Sequence, residues 1–277
     1  MTIFSWEEIE EINSNPSSPL ASFFKGSTAL TIGGFDGPHR GHESLLRSVL
    51  DKKNEFPVIK TGIITFNAPP KSKQAADFPG EVSTLHLRLE WFKHMGFDFA
   101  VVIDFSHKFS TMSGTDFLSI VYSACFIKFL FVGRDFKCGY KGATGIAELH
   151  EFAASRDLTI SVLNTVSIGG MKVSSSAIRT AVTEGHMKYA EQLLGRPYTL
   201  DGTVIEWNHN QKDDYHTFEI GVNAVTQVLP PEGKYDVSVL LSDMTVSTAV
   251  CHCDAEFLRL SVSHPAASIS VRAIDFI

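Results

Sequence analysis

Between residues 27 and 165 the chain alternates short apolar runs with stretches whose apolar residues recur at helical spacing. The runs 27–33, 58–66, 99–104, 128–133 and 158–163 predict strands, and most are continuously apolar, as parallel strands buried on both faces require. Segments 40–52, 84–95, 114–123 and 146–155 predict the intervening helices, with Thr84 placed to cap the second of them. Such alternation predicts an α/β fold, a Rossmann-like doubly wound parallel sheet. Ligands on such sheets bind beyond the carboxyl ends of the strands. Two closing helices are expected at 174–183 and 187–194, and Gly195-Arg196-Pro197 punctuates their end. The pattern then changes. Segments 202–207, 215–222, 235–241, 246–252, 257–262 and 268–274 read as strands, several with polar and apolar residues alternating, which suits a smaller antiparallel β-barrel with one wet face. The sequence thus divides into residues 1–195 and 196–277.

The chain has 277 residues, 44% hydrophobic and 20% charged, which excludes a disordered or collagen-like protein. A net charge of −7 argues against a large nucleic-acid-binding face but leaves room for a local phosphate pocket. The N-terminal twenty residues are acidic and polar, without the basic and apolar regions of a signal peptide. The most hydrophobic stretch, 120–132, is interrupted by Lys128 and is too short to span a bilayer. A cytoplasmic protein with no membrane partner is expected. Its four cysteines are too few for a disulfide framework. Cys251 and Cys253 should share one strand face with His252 on the other, short of a four-ligand zinc site.

The chemistry concentrates where the first predicted strand meets the first helix, at Gly33-Gly34-Phe35-Asp36-Gly37-Pro38-His39-Arg40-Gly41-His42. Glycines permit a tight turn and close approach of backbone to ligand, and the helix start offers free N–H groups. His39 and His42, three residues apart, face the same side of the first turn. Together they form a receptor for a phosphate chain, with Gly41 letting that chain lie against the backbone between the imidazoles. The alternatives are two solvated histidines beside a glycine-rich turn, or a zinc site lacking a third ligand. A second cluster, Ser174-Ser175-Ser176, opens a predicted helix with Arg179 about one turn on, able to hold an oxyanion or to act as an ordinary N-cap beside a surface arginine.

These motifs carry a resemblance. The histidine segment resembles the signature of the H-x-G-H nucleotidyltransferase superfamily, in the G-x-F-D-G-x-H-x-G-H form of the bacterial bifunctional FAD synthetases. In that family an FMN adenylyltransferase module precedes a riboflavin kinase barrel. Val132-Gly133-Arg134-Asp135-Phe136-Lys137-Cys138-Gly139 is similar to its V-G-x-D/N-F-x-F-G, with Cys138 for the last phenylalanine. Val173-Ser174-Ser175-Ser176-Ala177-Ile178-Arg179 is similar to V-S-S-T-x-I-R, with serine at 176. Leu194-Gly195-Arg196-Pro197-Tyr198 matches the junction into the kinase module. Thr65-Phe66-Asn67-Ala68-Pro69-Pro70 departs from the family's T-F-x-P-H-P, lacking its histidine.

The resemblance implies adenylyl transfer from ATP to FMN, giving FAD and pyrophosphate. It implies His39, His42 and Arg179 as catalytic groups. Gly33, Gly34, Phe35, Asp36, Gly41, Ser174, Ser175 and Ser176 would surround the nucleotide phosphates, and Asp135 and Asn67 would touch flavin or ribose. Asp135 alone reads equally as a turn residue. Magnesium (Mg2+) would be held mainly by the phosphates rather than by protein side chains. The second half departs from the family. Residues 202–225 lack the glycine pair and the P-T-A-N of the kinase, no catalytic glutamate segment is recognisable, and the terminal helices are missing. Riboflavin kinase activity is therefore expected to be absent. The competing readings are a bifunctional kinase and adenylyltransferase, a nucleotidyltransferase for another phosphate acceptor such as phosphopantetheine, and a non-catalytic flavin-binding protein.

Overall fold

The computed structural model describes residues 1–68, 78–264 and 268–277. Two compact units are present: Met1–Phe35, Gly41–Lys73 and Leu89–Ser167 make the first, and Asp36–Arg40, Gln74–Arg88 and Ile168–Ile277 the second.

The first unit is a six-stranded parallel sheet. Its strands are β1 (Thr2–Ser5), β2 (Thr28–Ile32), β3 (Lys60–Phe66), β4 (Phe99–Ile103), β5 (Ile127–Gly133) and β6 (Thr159–Leu163), in the order β1-β4-β3-β2-β5-β6. Every residue of β2 is buried, which is why that strand shows no polar alternation. Helices α1 (Trp6–Ser14), α6 (Gly114–Cys125) and α7 (Ile146–Ala153) pack Ile9, Val121 and Leu149 into a core that includes Leu30 and Val101. Helices α2 (Arg40–Leu50) and α4 (Leu85–Met95) bury Leu46 and Phe92 in a second core with Ala29 and Ile63. Neighbouring β2 residues thus feed different cores, the signature of a sheet covered on both faces. Two four-residue helices, α3 (Lys52–Glu55) and α5 (His107–Ser110), complete the unit. The chain runs from β2 outward through β3 and β4, then crosses to β5 on the other side of β2. That reversal is the switch point, the place beyond whose strand ends sheets of this kind bind their ligands.

The sequence pattern left β1 and α1 unassigned, yet their signals are present. Ser5 and Glu8 form a reciprocal capping box, with Ser5 N–H donating to Glu8 Oε2 at 2.7 Å and Glu8 N–H to Ser5 Oγ at 3.2 Å. Ile9 and Ile12 then fall on one helix face and are buried.

The second unit holds a seven-stranded antiparallel sheet in the order β10-β11-β14-β13-β12-β15-β9. A two-residue hairpin, β7 (Ser167–Ile168) and β8 (Met171–Lys172), precedes helices α8 (Ser175–Thr183) and α9 (Met187–Leu194), and Gly195 ends α9 at φ 79°. The sheet strands are β9 (Tyr198–Asp201), β10 (Asn208–Lys212), β11 (Tyr215–Gly221), β12 (Gly233–Leu241), β13 (Val246–Cys253), β14 (Phe257–Ser263) and β15 (Val271–Phe276). The strand expected over 202–207 is not there: Gly202–Val204 is a 3-10 turn, and pairing resumes at the fully exposed β10. Asn208-His209-Asn210-Gln211-Lys212 has no apolar face to betray a strand, and only its ladder with β11 makes it one. Cys251 and Cys253 are buried while His252 is exposed, so the expected facing holds.

Candidate active site

In the first unit the end of β2 leads straight into the glycine-rich turn. Gly33 N–H donates to the Ile64 carbonyl at 3.0 Å, and a Cβ on Gly33 would stand 2.9 Å from the Phe35 ring. The Gly34 carbonyl accepts from the Thr65 hydroxyl at 3.1 Å. Phe35 adopts φ 46°, a conformation costly for a non-glycine residue, and is held there by a buried ring. That ring lies edge-on to His42 at 5.1 Å and to Phe92 at 5.8 Å. Phe35 therefore packs against the His42 imidazole from within the core. Gly41 and His42 sit half-buried in the first turn of α2. Asp135 is exposed just past the end of β5. Asn67 donates to Asp104 Oδ1 at 3.0 Å and accepts from Ala68 N–H at 2.7 Å, so its amide shapes the loop after β3. Pro69 and Pro70 lie outside the described residues.

The second unit gathers the other motifs around Asp36. Its buried carboxylate accepts from Val82 N–H at 2.9 Å and Ser83 N–H at 3.1 Å, and pairs with Nη2 of Arg179. Arg179 Nε donates to the Gly80 carbonyl at 2.8 Å, and the guanidinium rides 4.8 Å over the Phe78 ring. Ser175 donates to the Asp36 carbonyl at 2.7 Å, while Ser174 caps α8 by accepting from Ala177 N–H at 3.2 Å. Ser176 is exposed. Gly37, at φ 63°, passes so close to Val82 that a Cβ would fall 2.2 Å from a side-chain carbon. Thus the middle of the histidine segment and the serine–arginine motif, 139 residues apart between Asp36 and Ser175, are interlocked. The carboxylate of Asp36, a residue expected near the nucleotide phosphates, is engaged by these protein donors. Burial pushes the Asp36 carboxyl above the usual carboxylate range, and Arg179 with the two N–H donors pulls against that rise.

His39 is 5% exposed. Burial, reinforced by the nearby Arg196 charge, lowers its pKa from 6.5 to about 4. Arg196 itself donates to the Pro38 carbonyl at 2.5 Å, one residue before the imidazole. At neutral pH His39 is a neutral ring with one donor and one acceptor nitrogen. Between about pH 4 and 6.5 the unfolded chain binds a proton that the folded chain refuses, so stability falls as pH drops through that window. The contribution amounts to about 3 kcal/mol. Urea titrations of the protein and of His39→Gln at pH 7 and near pH 4 should show the variant losing less stability by that amount.

Sequence reasoning missed three residues here. Arg88 is fully buried in α4, where the sequence does not set it apart from the helix's other polar residues, His86, Glu90, Lys93 and His94. Glu81, 3.8 Å from Arg88, is pushed up to about 7 by burial. Gln227, 3% exposed, donates to the Val82 carbonyl at 3.2 Å. None belongs to a motif, and their burial depends on tertiary packing. Among the described residues no group of three or more histidine, cysteine or acidic side chains is placed to hold a metal ion. No described helix is long and apolar enough to cross a membrane.

A doubly wound parallel sheet with a glycine-rich, histidine-bearing turn at its switch point defines a nucleotide-binding α/β enzyme. A family model described as FAD synthetase matches residues 23–177. The bifunctional riboflavin kinase/FMN adenylyltransferase of Escherichia coli (strain K12) is 30% identical over 216 residues, 76% of this chain and 67% of its own length. Its namesake in Haemophilus influenzae is 27% identical over 226 residues, 81% of this chain and 73% of the relative. The chain therefore belongs to the FAD synthetase family, and is a transferase carrying that family's FMN adenylyltransferase module. The crystal structure of a macrolide-efflux protein from Streptococcus pneumoniae aligns with 100% of this chain and 91% of its own at a TM-score of 0.78 and 20% identity, a shared fold.

Proposed function

We propose that this chain makes FAD from FMN and magnesium ATP and does not phosphorylate riboflavin. A phosphate oxygen of FMN attacks the α-phosphorus of ATP, the bond from that phosphorus to the oxygen bridging the β-phosphate breaks, and pyrophosphate leaves. Such in-line transfer needs positioning and neutralisation of charge more than covalent help. Magnesium enters with the triphosphate as part of the substrate. His39 and His42 donate to phosphate oxygens as charge builds, and the backbone of Gly33, Gly34, Phe35 and Gly41 lets the phosphate chain approach closely. Ser174 to Ser176, at the start of α8, offer N–H groups and the hydroxyls of Ser174 and Ser176 to the leaving pyrophosphate, the Ser175 hydroxyl being engaged by the Asp36 carbonyl. Arg179 serves the same group: with Nε and Nη2 engaged by Gly80 and Asp36, it keeps further N–H donors of its fork for phosphate. Asp135 and Asn67 serve ribose or flavin.

The observation that carries this reading is the interlock of Asp36, Arg179 and Ser175, which ties two of the family's phosphate motifs into one hydrogen-bonded unit. In this reading residues 1–195 form the adenylyltransferase module and 196–277 a riboflavin kinase-like domain without kinase chemistry. Support for the second half of the proposal lies in residues 202–225, where a 3-10 turn and the exposed, polar strand β10 stand in place of the kinase motif. Incubation with magnesium ATP and either flavin, followed by chromatography, tests both halves. FMN should yield FAD and pyrophosphate, and riboflavin should yield no FMN.

A further inference from the structure

The antiparallel unit needs a reason to persist if it performs no phosphorylation, and Gln227 supplies one. Its amide is fully used. Oε1 accepts from Asp201 N–H at 2.7 Å, and Nε2 donates to the Thr199 carbonyl at 2.9 Å and the Val82 carbonyl at 3.2 Å. Two of those partners belong to β9, the edge strand of the antiparallel sheet. The third, Val82, is read on both sides of its backbone, since its N–H holds Asp36 Oδ1 at 2.9 Å. The neighbours of Gln227 reinforce the contact as a short parallel bridge. Glu81 N–H donates to the Thr226 carbonyl at 2.9 Å, and Val228 N–H to the Glu81 carbonyl at 2.8 Å. The approach is close enough that a Cβ on Gly80, at φ 118°, would lie 2.6 Å from the Val228 nitrogen. The Gly80 carbonyl in turn accepts from Arg179 Nε at 2.8 Å.

We propose that Gln227 is a positioning residue for adenylyl transfer. It holds residues 80–83 against β9 and, through Val82, Asp36 and the Gly80 carbonyl, fixes the Arg179 guanidinium for the leaving pyrophosphate. This rests on the role given to Arg179 in the proposed function. Buried backbone carbonyls must find donors, so removing the amide leaves those of Val82 and Thr199 short of a partner and frees segment 80–83 to shift. A displacement of order 1 Å at the phosphate-binding group then costs about 10²-fold in rate. The antiparallel sheet contributes to transfer by this mechanical route without kinase chemistry of its own.

The test uses the full chain and the variant Gln227→Ala. Measured are initial rates of FAD formation, the affinity for magnesium pyrophosphate by titration calorimetry, and the folded fraction by circular dichroism at the assay temperature. The expected result is a folded variant whose kcat/KM for ATP falls about 10²-fold, with KM for FMN unchanged and pyrophosphate binding weakened in parallel. A chain of dependence also predicts that Gln227→Ala adds little in an Asp36→Asn background, since both changes release the same arginine. Unchanged pyrophosphate affinity in folded Gln227→Ala, or a loss that multiplies in full with that of Asp36→Asn, overturns the proposal. Should the alanine variant not fold, Gln227→Asn, which keeps the amide one methylene short, carries the same measurements. If the unmodified protein makes no FAD, the functional reading falls, and the pyrophosphate titration still decides whether Gln227 governs the phosphate-binding arginine.

Discussion

Alanine at position 42 is expected to lower the rate of FAD formation about 10²–10³-fold, because the proposed mechanism uses His42 as a preorganised donor to the transferring phosphate. That loss corresponds to roughly 3–4 kcal/mol of transition-state stabilisation. Folding is little affected. His42 is half-buried in the first turn of α2, and the ring of Phe35 lies edge-on to it at 5.1 Å. Contacts of that kind contribute about 0.5–1.5 kcal/mol, against a typical domain stability of about 5–15 kcal/mol. Phe35 itself stays anchored by Phe92 and by the buried position of its ring. The measurements are FAD yield per unit time by chromatography and thermal unfolding of the purified variant. Near-normal FAD formation by a folded His42→Ala protein would refute the assignment. A His42→Gln protein, which restores a donor at a similar reach, should recover part of the lost rate.

The parallel sheet was legible because its strands are buried on both faces, so Thr28-Ala29-Leu30-Thr31-Ile32 needs no partner to look like a strand. The histidine segment was legible because its chemistry is compressed into ten consecutive residues. What the sequence hid was long-range pairing. Nothing near Asp36 announces that its carboxylate is engaged by Arg179, 143 residues away, or that Val82 and Ser83 donate to it. Nothing near Gln227 announces a bond to Val82, 145 residues earlier. Strand β10 was hidden for a different reason: all five residues are exposed, so it leaves no hydrophobic trace. The local signals at Ser5 and Glu8 were available but short, and an acidic, polar opening obscured the buried Ile9 and Ile12 behind them.

The Asp36–Arg179 pair gives the largest expected effect on stability, and it separates folding from activity. Both side chains are almost wholly buried, at 6% and 10% exposed. Asp36→Ala leaves a largely buried guanidinium without its paired carboxylate, held by the Gly80 carbonyl and the Phe78 ring among the described residues. It also strips the acceptor from Val82 and Ser83 N–H. Removing one member of a buried pair typically costs about 3–5 kcal/mol, since the other charge is left uncompensated. Removing both is milder, because the desolvation of two ions disappears with their attraction. The double variant Asp36→Asn with Arg179→Met keeps an acceptor for the two N–H groups and fills the arginine's place with an apolar chain. Chemical denaturation should therefore find Asp36→Ala destabilised by about 3–5 kcal/mol and the double variant much closer to the unmodified protein. If Arg179 holds the leaving pyrophosphate as proposed, FAD formation should be lost in both, because neither keeps a positioned guanidinium. A double variant that is stable and still active would show that Arg179 serves the fold alone.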